Sequence, residues 1–168
     1  MKSLFLAVSV FAFSLLGSHA ATAETLGYPS ADKASFAIDY PDDWEMEPGE
    51  NIGDYVTLTS PTGVSLQLRT IPGTDTAIDE AVEESSKFLR ETFTDVEMGD
   101  VKEIQAGGLN ASLVLGTGTD SDKQSINFAI YLIALPDGTM ADIWYAAFKG
   151  DTKGGKAAAE ILNSFRTP

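Results

Sequence analysis

The chain contains no cysteine, and its one histidine, His19, lies close to the N-terminus. Without cysteine there is no disulfide, no thiol nucleophile and no residue to carry the lipid of a lipoprotein. With no histidine after position 19, the Ser-His-Asp and Cys-His nucleophilic systems and the usual zinc sites are excluded from the rest of the chain. Basic residues are also scarce, 11 against 25 acidic ones, for a formal charge of −14. Such a field repels phosphate backbones and anionic lipid surfaces, which argues against nucleic-acid binding.

Long apolar runs are missing too, except at the start. Met1 and Lys2 precede an apolar stretch from Leu4 to Leu16 broken only by serines, and small residues then continue through Ala23. A charged start, an apolar centre and a small-residue end make a secretory signal. The stretch falls short of the roughly 20 residues that span a bilayer, so a retained anchor is disfavoured. Two small-x-small cleavage sites compete, Ser18-His19-Ala20 and Ala21-Thr22-Ala23, and the polar Glu24 favours the second. The expected organisation is a signal peptide over residues 1–23 and one domain over residues 24–168, exported to the bacterial periplasm or secreted, with no membrane insertion after cleavage. Cleavage removes His19 and Lys2, leaving ten basic and 25 acidic residues and a formal charge of −15. A chain of this length buries about two-thirds of its unfolded surface, so its core needs no disulfide.

Along that domain, residues 24–34 read as an irregular lead-in. Phe36, Ile38 and Tyr40 alternate with Ala37 and Asp39 as in a strand buried on one face, Pro41 ends it, and the Trp44 indole is expected to fold back onto the core. Residues 55–59 and 64–70 form a hairpin about Ser60-Pro61-Thr62-Gly63, with Val64, Leu66 and Leu68 inward and Gln67 and Arg69 outward. Thr74, Asp75 or Thr76 caps a helix in which Ile78, Ala81, Val82, Ser85, Phe88, Leu89 and Phe93 recur at helical spacing, with Glu83 and Lys87 paired on its wet face.

Four strands follow, over residues 96–105, 109–117, 124–135 and 140–149. Their short links imply antiparallel neighbours, since a parallel pair needs a long crossover. The run from Ile126 to Leu135 is apolar at nearly every position and reads as a central strand covered on both faces. A closing helix carries Ala157, Ala158, Ile161, Leu162 and Phe165 on one side, and Gly154 and Gly155 are expected to weaken its first turn and delay its start. The expected class is α+β, an antiparallel sheet of six to seven strands sandwiched between helices.

The segment from Phe36 through Tyr40, Pro41, Asp42, Asp43 and Trp44 resembles the opening strand and turn of the PsbP-like superfamily. That group includes bacterial DcrB-type periplasmic proteins, extrinsic photosystem II PsbP proteins and Ran-binding Mog proteins. Ser60-Pro61-Thr62-Gly63 fits the following hairpin, and Ile161-Leu162-Asn163-Ser164-Phe165-Arg166 is similar to the closing helix, with Ser164 and Phe165 in its motif. The resemblance implies a sandwiched antiparallel sheet and a non-enzymatic role in binding or assembling other proteins, here with a protein of the cell envelope as partner.

The alternative is a calcium-binding protein. Asp39, Asp42, Asp43, Glu45, Glu47, Glu50 and Asp54 crowd a stretch without any basic residue, and Asp42, Asp43, Glu45 and Asp54 are the candidate metal ligands, although their spacing matches no EF-hand. A solvated acidic edge is the blander explanation. A carboxylate-dependent enzyme ranks below both, because it needs two carboxylates converging in an apolar pocket. The glycine pairs 107-108 and 154-155 match neither phosphate-loop nor dinucleotide spacing, and no cofactor is expected.

Overall fold

The computed structural model describes residues 23–51 and 53–168, so the signal segment read at residues 1–22 lies outside the described residues. Strands β1 (Ala23–Tyr28) and β2 (Phe36–Pro41) pair antiparallel, with a 3-10 turn at Ala31–Lys33 between them. The expected irregular lead-in is therefore a strand. Only Leu26 and Tyr28 of its residues turn toward the core, too few to show a period-two pattern, and its order comes from pairing with β2.

The main sheet has eight strands: β3 (Glu45–Glu47), β4 (Val56–Thr59), β5 (Ser65–Pro72), β6 (Thr94–Met98), β7 (Lys102–Ala106), β8 (Leu109–Thr119), β9 (Ser125–Ala134) and β10 (Thr139–Phe148). Their order is β3-β4-β5-β10-β9-β8-β6, with β7 also paired to β8, and all pairings are antiparallel. The apolar β9 runs inside the sheet between β10 and β8, as its composition implies. The single strand expected over residues 96–105 is two, β6 and β7. Gly99 and Asp100 break it, the Gly99 N–H donating to the Leu115 carbonyl at 2.8 Å, and each half takes one end of the long β8. This split and the unexpected β3 together outweigh the departure of Phe36–Pro41 to the β1–β2 pair, so the main sheet has one strand more than the expected six to seven.

Helix α1 (Asp75–Thr92) connects β5 to β6, and α2 (Thr152–Asn163) follows β10. The β1–β2 hairpin and α2 cover one face of the sheet. There Phe36, Ile38, Leu58, Leu66, Leu68, Ile133, Ile143 and Ile161 are fully buried, each contributing about 2 kcal/mol of apolar transfer. Helix α2 starts at Thr152 with no delay. The Asp151 carboxylate accepts from Gly154 N–H at 2.8 Å, and a Cβ at Gly154 would collide with Val64, so this glycine permits the close approach.

Helix α1 covers the opposite face, capped by the Thr74 hydroxyl, which accepts from Ala77 N–H. Its buried residues are Ala81, Ser85 and Leu89. Beneath it lie Gln67 and Arg69, which the alternation of β5 places outward. Outward from one layer is inward to the other, because α1 closes the second face, and the Arg69 side chain is only 13% exposed. The Glu83–Lys87 pair is replaced on the wet face by Lys87–Glu91, at 4.0 Å and largely exposed.

Candidate functional site

Under α1, β5 and β10 place Arg69 and Asp142 directly opposite each other in register. Asp142 is 1% exposed and accepts on one oxygen, Oδ2, from Arg69 Nε at 2.9 Å and from the Tyr55 hydroxyl at 2.6 Å. Arg69 also donates through Nη2 to Glu84 of α1 at 2.8 Å, and its guanidinium lies 4.2 Å from the centre of the Tyr55 ring. Burial pushes the Asp142 carboxyl above its ordinary 3.8, against the pull of the Tyr55 and Arg69 hydrogen bonds. Burial opposes the Arg69 charge, yet Glu84, Tyr55 and Asp142 outweigh it and raise its pKa. The two directions act on one pair in opposite senses, and the short guanidinium contact makes the ionised pair the state at neutral pH. Burial, joined by the neighbouring carboxylate, raises the Tyr55 hydroxyl, which stays a donor.

Beside this network, a cavity of about 290 Å³ opens between α1 and the sheet. Ile78, Ala81, Val82 and Leu89 line it from the helix, and Val114, Ile130 and Leu132 line it from the strands. Asp142 borders it, with Ser85, Ser86 and Ser112 as the other polar residues. The break between β6 and β7 brings Met98 and Val101 to the same space. Val82, Met98 and Val101 are 51%, 48% and 64% exposed, an apolar rim that water touches. A largely apolar hollow with a few polar groups is the usual form of a binding site. Proton transfer between paired carboxylates is not built here, since Asp142 is the one buried carboxylate among the described residues and is held by a cation.

The residues singled out from sequence sit elsewhere. Asp42 and Asp43 lie in the exposed turn after β2, Glu45 is exposed on β3, and Asp54 accepts from the backbone and side-chain nitrogens of Asn51 at 2.7 and 3.0 Å. Among the described residues no group of three or more acidic side chains is placed to hold a metal ion. Asp39 is engaged with Arg166 at 2.8 and 2.9 Å, so one member of the acidic stretch is already neutralised by the C-terminal basic group.

The motif residues tie β2 to β1 and to the end of α2. The Tyr40 hydroxyl donates to Glu24 at 2.7 Å, and the Pro41 carbonyl accepts from Trp44 N–H at 3.0 Å. Trp44 is buried. Ser164 Oγ accepts from Asp39 N–H at 2.7 Å and donates to the Ile161 carbonyl at 2.6 Å, while Phe165 stacks on Phe36 at 5.1 Å. These contacts hold the hairpin and α2 together, far from the cavity lining. Sequence reasoning missed Asp142, although a signal was present: it is the only charge in the apolar run Met140 to Phe148, and such a carboxylate needs a buried cation.

No family model matches the chain, and no curated protein matches it. Solved structures do. The Saccharomyces cerevisiae Ran-binding protein Mog1p is 11% identical, with a TM-score of 0.56 over 88% of this chain and 96% of its own. The Synechocystis cyanobacterial PsbP (CyanoP) is 13% identical, with a TM-score of 0.58 over 90% of this chain and 96% of its own. A structure from Bacteroides thetaiotaomicron is 14% identical with a TM-score of 0.55, covering 80% of this chain, which spans 46% of that protein's length. The chain therefore has the PsbP/Mog1-like fold that the Tyr40-Pro41 and Ser164-Phe165 motifs implied.

Proposed function

We propose that this chain is a non-enzymatic binding or assembly protein that works after export, and that it engages an envelope protein through the α1 face. The carrying observation is the 290 Å³ apolar cavity with its exposed rim of Val82, Met98 and Val101. Apolar side chains gathered around a hollow are the pattern of a surface that accepts a side chain from a partner. The fold supports the same reading, since one neighbour is named as Ran-binding, although fold alone does not select a partner. Export is supported by the N-terminal segment: cleavage after Ala23 would leave Glu24, the acceptor for Tyr40, as the first residue.

The test is affinity capture from the native envelope with the wild type and with Val82→Lys and Val101→Glu. Both positions are more than half exposed, so the variants should fold normally. A partner captured by the wild type and lost with both variants is expected. Capture of the same partners by all three proteins would overturn the assignment of this face.

A further inference from the structure

Helix α1 places one hydroxyl at its contact with the sheet. Ser85 is 7% exposed and borders both the 290 Å³ cavity and a second hollow, of about 240 Å³, which Tyr55, Phe88 and Trp144 border on the other flank of the helix. The Ser85 hydroxyl enters no hydrogen bond with any described residue. It is not sealed either, because the one fully sealed side-chain nitrogen or oxygen without a partner among the described residues is the Trp144 indole nitrogen. A serine at a helix can bond back to a carbonyl of the preceding turn, as Ser164 does to Ile161 at 2.6 Å, and Ser85 does not. The Ser112 hydroxyl, which also borders the cavity, is committed to Glu103 at 3.1 Å. Buried polar groups are normally satisfied, so a free hydroxyl open to an apolar hollow calls for an explanation.

We propose that the larger cavity binds an uncharged aliphatic molecule with one hydroxyl group, in its simplest form a medium-chain alcohol, whose oxygen pairs with the Ser85 hydroxyl. The walls set the body of the ligand. Ile78, Val82 and Leu89 of the helix and Val114, Ile130 and Leu132 of the strands carry no ring, so no stacking favours an aromatic guest, and each buried methylene favours a chain. Volume sets the length: a cavity of roughly 150 Å³ takes the six carbons of benzene, so one of about 290 Å³ takes roughly ten non-hydrogen atoms. Charge sets the head group. Asp142 borders the cavity and repels an anion such as a carboxylate. Its own charge is already matched by Arg69 at 2.9 Å, so a buried cation would find no free counter-charge. A neutral hydroxyl can accept from Ser85 or donate to it and needs no counter-charge. This inference goes beyond protein docking on the α1 face and does not rest on it. A partner side chain and such a molecule would enter by the same rim and exclude each other.

The test uses 1-octanol, octanoate and octylammonium on protein with ¹³C-labelled isoleucine, leucine and valine methyl groups. 1-Octanol should bind and shift the methyl resonances of Val114, Ile130 and Leu132, while those of Ile38 and Ile161 on the α2 face stay in place. Ser85→Ala, which removes only the free hydroxyl, should weaken 1-octanol about fivefold, the worth of one neutral hydrogen bond. Octanoate and octylammonium should bind about tenfold more weakly than 1-octanol or not at all, since each must bury an unmatched charge. Val114 is half-buried, so Val114→Phe should fold, and by filling the hollow it should weaken the alcohol as well. No binding of 1-octanol, equal affinity in Ser85→Ala, a charged probe matching the alcohol, or shifts confined to methyl groups outside this cavity would each overturn the proposal. The purified protein suffices for every measurement, so a failure here leaves the envelope capture with Val82→Lys and Val101→Glu standing, and a failure of capture leaves this inference standing.

Discussion

Replacing Asp142 by alanine should destabilise the protein by about 3–5 kcal/mol, because it strips the Arg69 guanidinium and the Tyr55 hydroxyl of their shared acceptor under α1. The magnitude follows from burial. Asp142 is 1% exposed and Arg69 13%, so the figure of about 0–1 kcal/mol for surface pairs does not apply to them. At roughly 2–4 °C per kcal/mol for a chain of this size, Tm should fall by about 6–20 °C. Urea unfolding measures the change directly, as a lowered midpoint at constant slope. The control is the combination Asp142→Leu, Arg69→Met and Tyr55→Phe, which replaces the whole buried network by apolar groups and should return stability to within about 1.5 kcal/mol of wild type. A loss below about 1 kcal/mol for Asp142→Ala would refute the reasoning, since it would mean that water already serves these groups. A triple variant as damaged as the single one would move the cause from charge to packing.

Glu84→Ala should cost less than about 1 kcal/mol in the same assay, because its carboxylate is 60% exposed although it pairs with the same arginine. Acid should unfold the protein through Asp39, Asp137 and Asp151, whose pKa values are held below 3.8 by Arg166 and Thr25, by Thr139 and Ser35, and by Thr62 and the Gly154 N–H. Their stabilisation is complete above 3.8 and disappears as pH falls through the lowered folded values; Asp142, raised in the fold, contributes in the opposite sense, fully below 3.8 and less as pH rises through its folded value. Tm followed by circular dichroism from about pH 5 to about pH 2 should therefore fall, less steeply in Asp39→Asn and more steeply in Asp142→Asn. Calcium at about 1 mM, the range of weak extracellular sites, should leave Tm unchanged, since among the described residues no acidic group of metal-binding size is assembled. A clear upward shift would restore the acidic segment around Asp42, Asp43, Glu45 and Asp54 as a site.

Where one residue type dominates one face, the sequence was readable. The alternation Val64, Leu66, Leu68 and the helical recurrence from Ile78 to Leu89 both became elements, because the period of the apolar residues is the period of the backbone. The strand β1 was not readable, since its order comes from partners further along the chain: Thr25 pairs with Asp39 and donates to it at 2.6 Å. Arg69 was assigned to solvent because alternation tells two faces apart but does not say whether the second is covered. That depended on α1 returning across the sheet from β5 to β6, a tertiary fact. The network at Asp142 fell between these cases. Its residues lie 14, 73 and 87 positions apart along the chain, so a lone carboxylate in an apolar strand was the only local trace.

The two faces of the sheet are packed differently, and the difference bears on the proposed docking surface. On the α2 side large side chains pack closely at the centre: Phe36 stacks between Tyr28 and Phe165, and Ile38, Leu58, Leu66, Leu68, Ile133 and Ile143 have no exposure, while a hollow of about 250 Å³ lies at the edge, lined by Asp39, Tyr40 and Pro41 of β2 and Ala157 and Ile161 of α2 among others. On the α1 side the buried residues of the helix are Ala81, Ser85 and Leu89, two of them small, with Phe88 edge-on to Trp144 at one flank, over a floor that carries rings and an ion pair. Where Ala81 and Ser85 face the sheet the helix leaves space over that floor, and hollows remain on both flanks. Larger residues at positions 81 and 85 would gain dispersion contacts, so the small ones leave stability unused. The α2 face carries most of the fully buried side chains, and the α1 face carries the more apolar hollow, lined by Ile78, Val82, Val114, Ile130 and Leu132 among others. Unfilled apolar surface of this kind adds nothing to stability, which is the physical reason the proposed docking surface is α1 and not the acidic edge at residues 39–54.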